Sequence, residues 1–315
     1  MSFLETIVIS HPHHFQQDDL PPTFLALGYF DGIHVGHQRV INTAVELAKK
    51  NNAVPAVMSF HPHPSVVLGK SDHNWTYITP LEEKKKILEE MGVERFYLVK
   101  FDHVFAGLDT QEFVDQYVIG LNVVHVVTGF DFSYGKYGKG NVETLVKESN
   151  GQFGQTVIEK IEKDGQKISS TLIRNHLKEG LVDELQPYLG RRYTLTGTVI
   201  HGDKRGRTIG FPTANLDTDQ YSLPKVGVYA VEVIIDNKSY FAMANVGYKP
   251  TFKDDQKKPS LEVHIFDFNK EIYGEDVRIT WLKRIRDEKK FSGIDELIAQ
   301  LHADKSRTFE IIQSL

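Results

Sequence analysis

The chain contains no cysteine, and this absence excludes disulfide scaffolds, thiolate nucleophiles and zinc sites built on sulfur. It also has no apolar stretch of membrane-spanning length, and its first residues, MSFLETIVIS, lack the basic region and apolar core of a signal peptide. The net charge of −5 disfavours a surface that coats nucleic acid. We therefore expect a cytoplasmic protein without nucleic-acid or membrane partners, and the sequence leaves its oligomeric state open.

Strands and helices alternate in the first half of the chain, whose total of 315 residues is enough for two domains. Thr79, Pro80 and Glu82 form the pattern of a capped helix start, with Thr79 as the cap, and Gly92 is a helix stop. The alternation predicts an α/β fold with a Rossmann-like, doubly wound parallel sheet. The expected strands lie at 24–27, 54–60, 95–100 and 123–128, and the other expected helices at 35–50 and 110–118.

Short β-rich runs dominate the second half and predict a small antiparallel barrel. The final stretch, 292–315, is expected to be helical, with Ile294, Leu297, Ile298 and Leu301 on one face. We place the boundary near residue 187, which gives domains 1–186 and 187–315. The expected barrel strands lie at 193–200, 228–235, 239–246, 261–266 and 277–281.

The segment GYFDGIHVGH, residues 28–37, follows a strand and opens a helix, which is where a phosphate-binding turn belongs. His34 and His37 are three residues apart, so both rings can project from one face of the first helical turn and donate hydrogen bonds to phosphate oxygens. Gly28, Phe30 and Asp31 are further candidate nucleotide contacts. Taken alone, the segment is also compatible with a glycine-rich turn that carries two surface histidines.

The segment ISSTLIR, residues 168–174, places three hydroxyl groups at an expected helix start, with an arginine one turn later. Ser169, Ser170 and Thr171 suit a triphosphate tail, and Arg174 adds a charge-assisted fork. In isolation, serine and threonine at this place are more simply ordinary helix caps.

These two segments, with SFHPHP (59–64) and GFDFSYG (129–135), resemble the adenylyltransferase module of bacterial bifunctional riboflavin kinase/FAD synthetases. Tyr29 stands where many relatives have asparagine, and residues 133–134 where many have arginine and phenylalanine. The resemblance implies that an FMN phosphate attacks the α-phosphorus of ATP and expels pyrophosphate. It implies that His34 and His37 hold the reacting phosphates. The departing pyrophosphate would be held by Ser170, Thr171 and Arg174. Asp131 would contact the nucleotide or a metal, and His61 and His63 would line the cleft.

A glycine- and cation-rich loop follows the first strand of the second half and ends in a Pro-Thr-Ala-Asn tetrad, GTVIHGDKRGRTIGFPTAN (197–215). It lacks the ending of a Walker loop. Thr213 and Asn215 alternate along an extended segment, so both side chains point to one face. Two neutral oxygens on one face suit Mg²⁺, which prefers few protein ligands. Other candidate ligand contacts are Gly202, Lys204, Arg207, Gly210 and Pro212.

This loop, with GVY (227–229), NVGYKPTF (245–252), LEVHIFDF (261–268) and RDEKKF (286–291), resembles the riboflavin kinase family. The resemblance implies that Glu262 is the general base for the ribityl 5′-hydroxyl, which attacks the γ-phosphate of ATP. It also implies flavin-site roles for Tyr248 and Arg286, beside Thr213, Asn215 and Mg²⁺. Considered without the surrounding pattern, Glu262 is more simply a surface residue of an apolar strand.

The sequence therefore predicts an enzyme that uses small-molecule substrates and carries out two ATP-dependent steps, riboflavin to FMN and FMN to FAD. One alternative is a riboflavin kinase whose first module is inactive or serves another acceptor. The other is a flavin-binding regulator without turnover.

Overall fold

The computed structural model describes residues 3–69, 75–202, 205–248 and 259–315. Packing divides the chain into two compact units, one of Met1–Trp75 with Thr79–Ser169, the other of Thr76–Ile78 with Ser170–Leu315. This division precedes the predicted boundary at 187 because Ile173 and Leu177 are buried in the core of the second unit. None of the helices in the described ranges combines the length and the apolar character that crossing a bilayer requires.

The first unit is built on a six-stranded sheet in which every neighbouring pair is parallel. Its order is β1-β4-β3-β2-β5-β6, so the direction of winding reverses between β2 and β5. This arrangement confirms the predicted doubly wound sheet. The strands are β1 (Glu5–Ile9), β2 (Thr23–Leu27), β3 (Val54–His61), β4 (Arg95–Lys100), β5 (Val123–Gly129) and β6 (Gly154–Ile158).

Helices cover the sheet of the first unit. The longest, α1, buries Val40, Ile41, Ala44, Val45 and Ala48 against the sheet, as its apolar stripe predicts. A short hairpin follows the sheet. The helices are α1 (Val35–Lys50), α2 (Pro64–Val67), α3 (Leu81–Glu90), α4 (Thr110–Val114, continued by a π-turn at Asp115–Ile119) and α5 (Val142–Glu148), and the hairpin strands are β7 (Glu162–Lys163) and β8 (Gln166–Lys167).

The predicted cap of α3 was wrong. The N-cap residue is Pro80, without a side-chain hydrogen bond, and Glu82 Oε1 instead accepts from Lys85 Nζ at 2.9 Å. Thr79 is buried, and its amide donates to Asp31 Oδ1 at 3.0 Å. A carboxylate from the turn after β2 therefore binds the amide of the residue before this helix start.

The second unit is a closed barrel of six antiparallel strands in the order β10-β13-β12-β11-β14-β9, which confirms the predicted barrel. Its interior is filled by large side chains such as Tyr229 and Trp281, both fully buried. The elements are α6 (Ser170–Glu179), α7 (Gln186–Leu189), β9 (Thr194–Ile200), α8 (Arg205–Thr208), β10 (Ala214–Asp217), β11 (Gly227–Ile235), β12 (Lys238–Gly247), β13 (Ser260–Ile265), β14 (Asp276–Arg286) and α9 (Ile294–Gln313).

The C-terminal helix α9 packs on the outside of β11, β12 and β14. The apolar face predicted for it is buried only in part, since Ile294 is exposed and Leu301 half-buried. The fully buried positions lie further along the helix, at Asp304, Thr308 and Ile311. A buried carboxylate thus occupies the centre of the contact between helix and barrel.

Candidate active sites

The turn between β2 and α1 lies where the winding of the sheet reverses, and open α/β sheets bind ligands there. His34 is the N-cap of α1, and its Nδ1 accepts the amide hydrogen of His37 at 3.2 Å. Phe30, Gly32 and Ile33 all have positive φ, so the turn is tight. A Cβ on Gly28 would approach the Phe30 ring to 2.9 Å, so a larger residue at this position would displace that ring.

The two histidine rings stack face to face, with centroids 3.6 Å apart and an angle of 17° between their planes. Burial lowers the pKa of His34 to about 4 and holds the pKa of His37 well below its usual range, an effect that His34 reinforces. Both imidazoles are therefore neutral at pH 7. Because His34 Nδ1 accepts a hydrogen bond, its Nε2 carries the proton, and His37 Nδ1 has no hydrogen-bond partner among the described residues.

Phe30 and Asp31 make contacts that stabilise the turn. Phe30 is buried and meets His37 edge to face, with centroids 5.3 Å apart. Asp31 is 3% exposed and accepts the Thr79 amide. These contacts explain both residues structurally, and the nucleotide contacts predicted for them remain predictions.

Lys84, on α3, is a charged residue of this site that the sequence analysis missed. It is buried, and its Nζ donates to the carbonyl of Tyr29 at 2.8 Å and to Ser59 Oγ at 3.2 Å. Burial lowers the pKa of Lys84 to about 8, and Asp31 opposes that shift. The sequence spacing could have indicated that Lys84 is buried, because it lies on the same helix face as the apolar residues Leu81 and Leu88.

The HPHP segment lies at the end of β3, beside the turn. His63 caps α2 by accepting the Ser65 amide at 3.0 Å. Its ring meets that of Tyr29 edge to face and stacks on that of Trp75, with centroid distances of 4.3 and 4.1 Å. His61 is exposed, and partial desolvation, together with Lys84, lowers its pKa. The structure thus brings this segment to the same turn.

Asp131 follows β5 and forms an ion pair with Lys167, whose Nζ lies 2.5 Å from Asp131 Oδ2. Both charges act on His34, since Asp131 raises its pKa and Lys167 lowers it, each less than burial does. The structure therefore places Asp131 near the histidine pair, and it adds Lys167, which the sequence analysis did not single out.

Arg174 lies on α6, which begins at Ser170 and also carries Thr171; Ser169 ends the first unit. The Arg174 guanidinium donates to Ser222 Oγ at 3.0 Å and to the carbonyl of Thr76 at 2.9 Å. These contacts lie within the second unit, and they tie segment 76–78 to it.

In the barrel, three polar residues lie side by side on adjacent strands. Glu262 on β13 pairs with Asn215 on β10 and with Asn245 on β12. Directly paired residues of an antiparallel sheet point to the same face, so the three side chains form one row. Asn215 is buried, and its Oδ1 has no hydrogen-bond partner in the described part of the chain.

Two further residues hold this row and the tetrad in place. Gly202 passes so close to Asn215 that a Cβ would lie 2.2 Å from Asn215 Nδ2. His264, missed by the sequence analysis, lies two residues beyond Glu262, and its Nδ1 is 2.7 Å from the carbonyl of Pro212. Thr213 is exposed at the start of β10. The backbone before Thr213 is thereby fixed from β13.

An open pocket adjoins Thr213 at the end of the barrel. Arg207, on α8, lines it and contacts Glu271 Oε1 at 3.1 Å and the Tyr273 hydroxyl at 3.4 Å. Gly210 adopts a φ of +82°, which favours glycine. Lys204, the other predicted cation of this loop, lies outside the described residues.

Arg286 forms a fork with Asp304 on α9, with Nε 2.9 Å from Oδ1 and Nη2 2.7 Å from Oδ2. Asp304 is 1% exposed and also accepts from Gln300 Nε2. This contact joins α9 to the barrel, and the flavin-site role predicted for Arg286 remains a prediction. Tyr248 is exposed immediately after β12.

Two family models match this chain, FAD synthetase over residues 16–172 and riboflavin kinase over residues 189–312. A bifunctional riboflavin kinase/FMN adenylyltransferase from Bacillus subtilis is 49% identical and covers 99% of each chain, and one from Escherichia coli is 35% identical over 93% of this chain and 94% of its own.

A solved structure from Streptococcus pneumoniae, named as a macrolide-efflux protein, is 39% identical to this chain. It covers 96% of this chain and 98% of its own, with a TM-score of 0.85. The full-length similarity to the enzymes from Bacillus and Escherichia, together with both family matches, shows that this chain belongs to the bifunctional riboflavin kinase/FMN adenylyltransferase family.

Proposed function

We propose that the barrel unit phosphorylates riboflavin to FMN and that the chain then adenylylates FMN to FAD at the turn of residues 28–37. The observation that carries the proposal is the row formed by Asn215 and Glu262, where an amide oxygen that has no hydrogen-bond partner among the described residues lies beside a carboxylate. For the other unit, the supporting observation is the turn after β2, which lies where the winding of the parallel sheet reverses.

In the kinase step, Glu262 accepts the proton of the ribityl 5′-hydroxyl as its oxygen forms a bond to the γ-phosphorus of ATP and ADP leaves. Thr213 and Asn215 hold Mg²⁺, which would neutralise charge on the phosphates when bound. Asn215 Oδ1, which accepts no hydrogen bond from any residue that the structure describes, fits this ligand set. Contacts to ATP and flavin are assigned to Gly202, Lys204, Arg207, Gly210, Pro212, Tyr248 and Arg286.

In the adenylyl transfer, an FMN phosphate oxygen forms a bond to the α-phosphorus of ATP, and the bond to pyrophosphate breaks. The neutral His34 and His37 donate hydrogen bonds to the phosphates, and Ser170, Thr171 and Arg174 hold the leaving pyrophosphate. Contacts to the substrates are assigned to Gly28, Phe30, Asp31, His61, Asp131 and Ser169.

We retain 1–186 and 187–315 as the functional domains, and the family matches, which end at 172 and begin again at 189, support a division in this region. We also retain a cytoplasmic location without nucleic-acid or membrane partners. No observation favours an inactive first module or a flavin-binding regulator.

The test is to incubate the chain with riboflavin, ATP and Mg²⁺ and to separate the flavins by chromatography. We expect FMN to appear first and FAD to follow. Glu262→Gln should lower FMN formation on the order of 10²–10⁴-fold, because a positioned general base contributes about that much, and should spare FAD formation from supplied FMN. His34→Asn, which keeps a helix cap, should lower FAD formation from supplied FMN and spare FMN formation from riboflavin.

The control for Glu262 is Glu275→Gln, which changes an exposed glutamate of the same unit and should affect neither step. Equal loss of both activities in Glu262→Gln would contradict the assignment of one reaction to each site. Absence of any flavin product from the unchanged chain would contradict the enzymatic proposal.

A further inference from the structure

A buried lysine lies behind the turn of residues 28–37 and has no role in the reaction as proposed above. Lys84 is 4% exposed, and burying an ammonium group is costly unless its surroundings compensate. Its hydrogen bonds go to the carbonyl of Tyr29 and to Ser59 Oγ, and Ser59 Oγ itself donates to the same carbonyl at 2.7 Å. The backbone of the turn is therefore held from both β3 and α3.

The charge of Lys84 is unusual within the first unit. In the described part of the chain, the group forms no ion pair with a carboxylate within 4 Å. The other cation acting on the histidines, Lys167, is paired with Asp131 and partly exposed. Because His34 and His37 are neutral, the nearest charge to that of Lys84 is the buried carboxylate of Asp31, which favours the ammonium form of Lys84 without forming an ion pair with it.

A site that gathers the phosphates of ATP and FMN must balance several negative charges, and a buried cation does so more strongly than an exposed one. Lys84 acts on His37 and His61, since its charge lowers the pKa of both. The field of this ammonium group therefore reaches residues on the substrate side of the turn.

We propose that Lys84 is a positioning residue for adenylyl transfer, which fixes the Tyr29 carbonyl in the phosphate-binding turn and supplies a buried positive charge to the bound phosphates. This inference rests on the proposed function of the turn. Lys84 acts through the turn and through its field, and it contacts no reacting atom.

The first test compares three variants in FAD synthesis from FMN and ATP. Lys84→Met removes the charge and keeps the length of the side chain, Lys84→Arg keeps a charge, and Lys86→Met changes an exposed lysine of the same helix. We expect kcat/KM to fall about 10- to 100-fold in Lys84→Met, to recover in part in Lys84→Arg, and to stay unchanged in Lys86→Met.

The kinase activity of the same polypeptide is the internal control. We expect riboflavin phosphorylation to be unchanged in all three variants. A Lys84→Met chain that behaves like Lys86→Met would overturn the proposal. An unmodified chain that phosphorylates riboflavin but forms no FAD would instead overturn the proposed function of the turn.

The second test separates charge from packing and does not need Lys84→Met to fold. The pKa of Lys84 is lowered to about 8, so FAD synthesis by the unmodified chain should decline as the pH rises from about 8 to 10. Arginine keeps its proton throughout this range, so Lys84→Arg should lack the decline. An identical alkaline decline in both chains would overturn the electrostatic role.

The groups that face Lys84 are Asp31, His37, His61 and the phenol of Tyr29. The pKa values of both histidines are lowered, so these rings stay neutral between pH 8 and pH 10. Tyr29→Phe removes the phenol and should keep the alkaline decline. Loss of the decline in Tyr29→Phe would assign the titration to Tyr29 and overturn the assignment to Lys84.

Discussion

The two units position their proposed reacting groups in different ways. In the barrel, Asn215 and Glu262 come together because β10 and β13 are paired in register, and ordinary strand alternation places both side chains on one face. In the α/β unit, the histidines occupy an irregular turn that is tight enough to include residues at positive φ. That turn is held by buried polar contacts from distant elements, chiefly Lys84 and Ser59.

The difference shows where each site is vulnerable. A strand ladder distributes its support over many backbone hydrogen bonds, so few single side chains are needed to orient the row. A turn has fewer hydrogen bonds within its own backbone, so its conformation depends on hydrogen bonds from neighbouring side chains. Buried charged groups such as Lys84 therefore serve the site in the α/β unit, whereas among the described residues of the second unit the buried carboxylate of Asp304 serves the packing of α9.

The largest effect on stability should come from Asp304→Asn. The change leaves Arg286 without its carboxylate, and breaking a buried ion pair costs about 3–5 kcal/mol. Trp75→Phe leaves Trp281 as the only tryptophan, so its fluorescence during urea unfolding reports on the barrel. In that background, the free energy of unfolding of the barrel should fall by about 3 kcal/mol or more.

Glu310→Gln is the matched control for Asp304→Asn, because it also removes an ion pair of α9. That pair, with Arg307, is exposed at both ends, so its loss should change stability by about 1 kcal/mol or less. Similar small changes in both variants would show that the fork between Arg286 and Asp304 does not anchor the helix.

The sequence was sufficient to predict the fold class, the barrel and the positions of most strands, because these follow from apolar periodicity and local turn signals. It did not predict the contacts that support each site. Lys84 and Tyr29 are 55 residues apart, and Arg286 and Asp304 are 18 apart. Which buried donor meets which acceptor depends on how helices and strands pack against one another. Thr79 is an example, since the distant Asp31 binds its amide in place of the local helix cap that the sequence predicted.

An intermediate effect should appear when stability is measured at lower pH. The pKa of His34 is about 4 in the folded chain and about 6.5 in an unfolded chain, so between these values the unfolded state binds a proton that the folded state does not. Stability is therefore lost as the pH falls. From pH 7 to pH 5, His34 alone should lower the free energy of unfolding by about 2 kcal/mol.

His34→Asn isolates this contribution, since asparagine caps a helix but does not titrate. Urea unfolding followed by circular dichroism at pH 7 and pH 5 should give a smaller loss in the variant than in the unmodified chain. His264, whose pKa is also lowered, lies in the other unit and contributes equally to both chains. Burial, the main cause of the low pKa of His37, is present in both chains, so the difference between them reports His34 and its effect on His37. Equal pH dependence in the two chains would show that His34 is not buried in neutral form.

The prediction with the smallest expected effect concerns the barrel site and asks whether it also depends on one close contact, that between Gly202 and Asn215. Gly202→Ala would place a Cβ 2.2 Å from Asn215 Nδ2, so Asn215 must move away from its position beside Glu262. We expect kcat/KM for riboflavin phosphorylation to fall about 10-fold, which corresponds to about 1.4 kcal/mol, without change in FAD synthesis from FMN. Gly293→Ala, whose Cβ would meet no atom within 4 Å, is the control. Unchanged phosphorylation in Gly202→Ala would mean that register alone orients Asn215, which would sharpen the contrast with the turn that Lys84 supports.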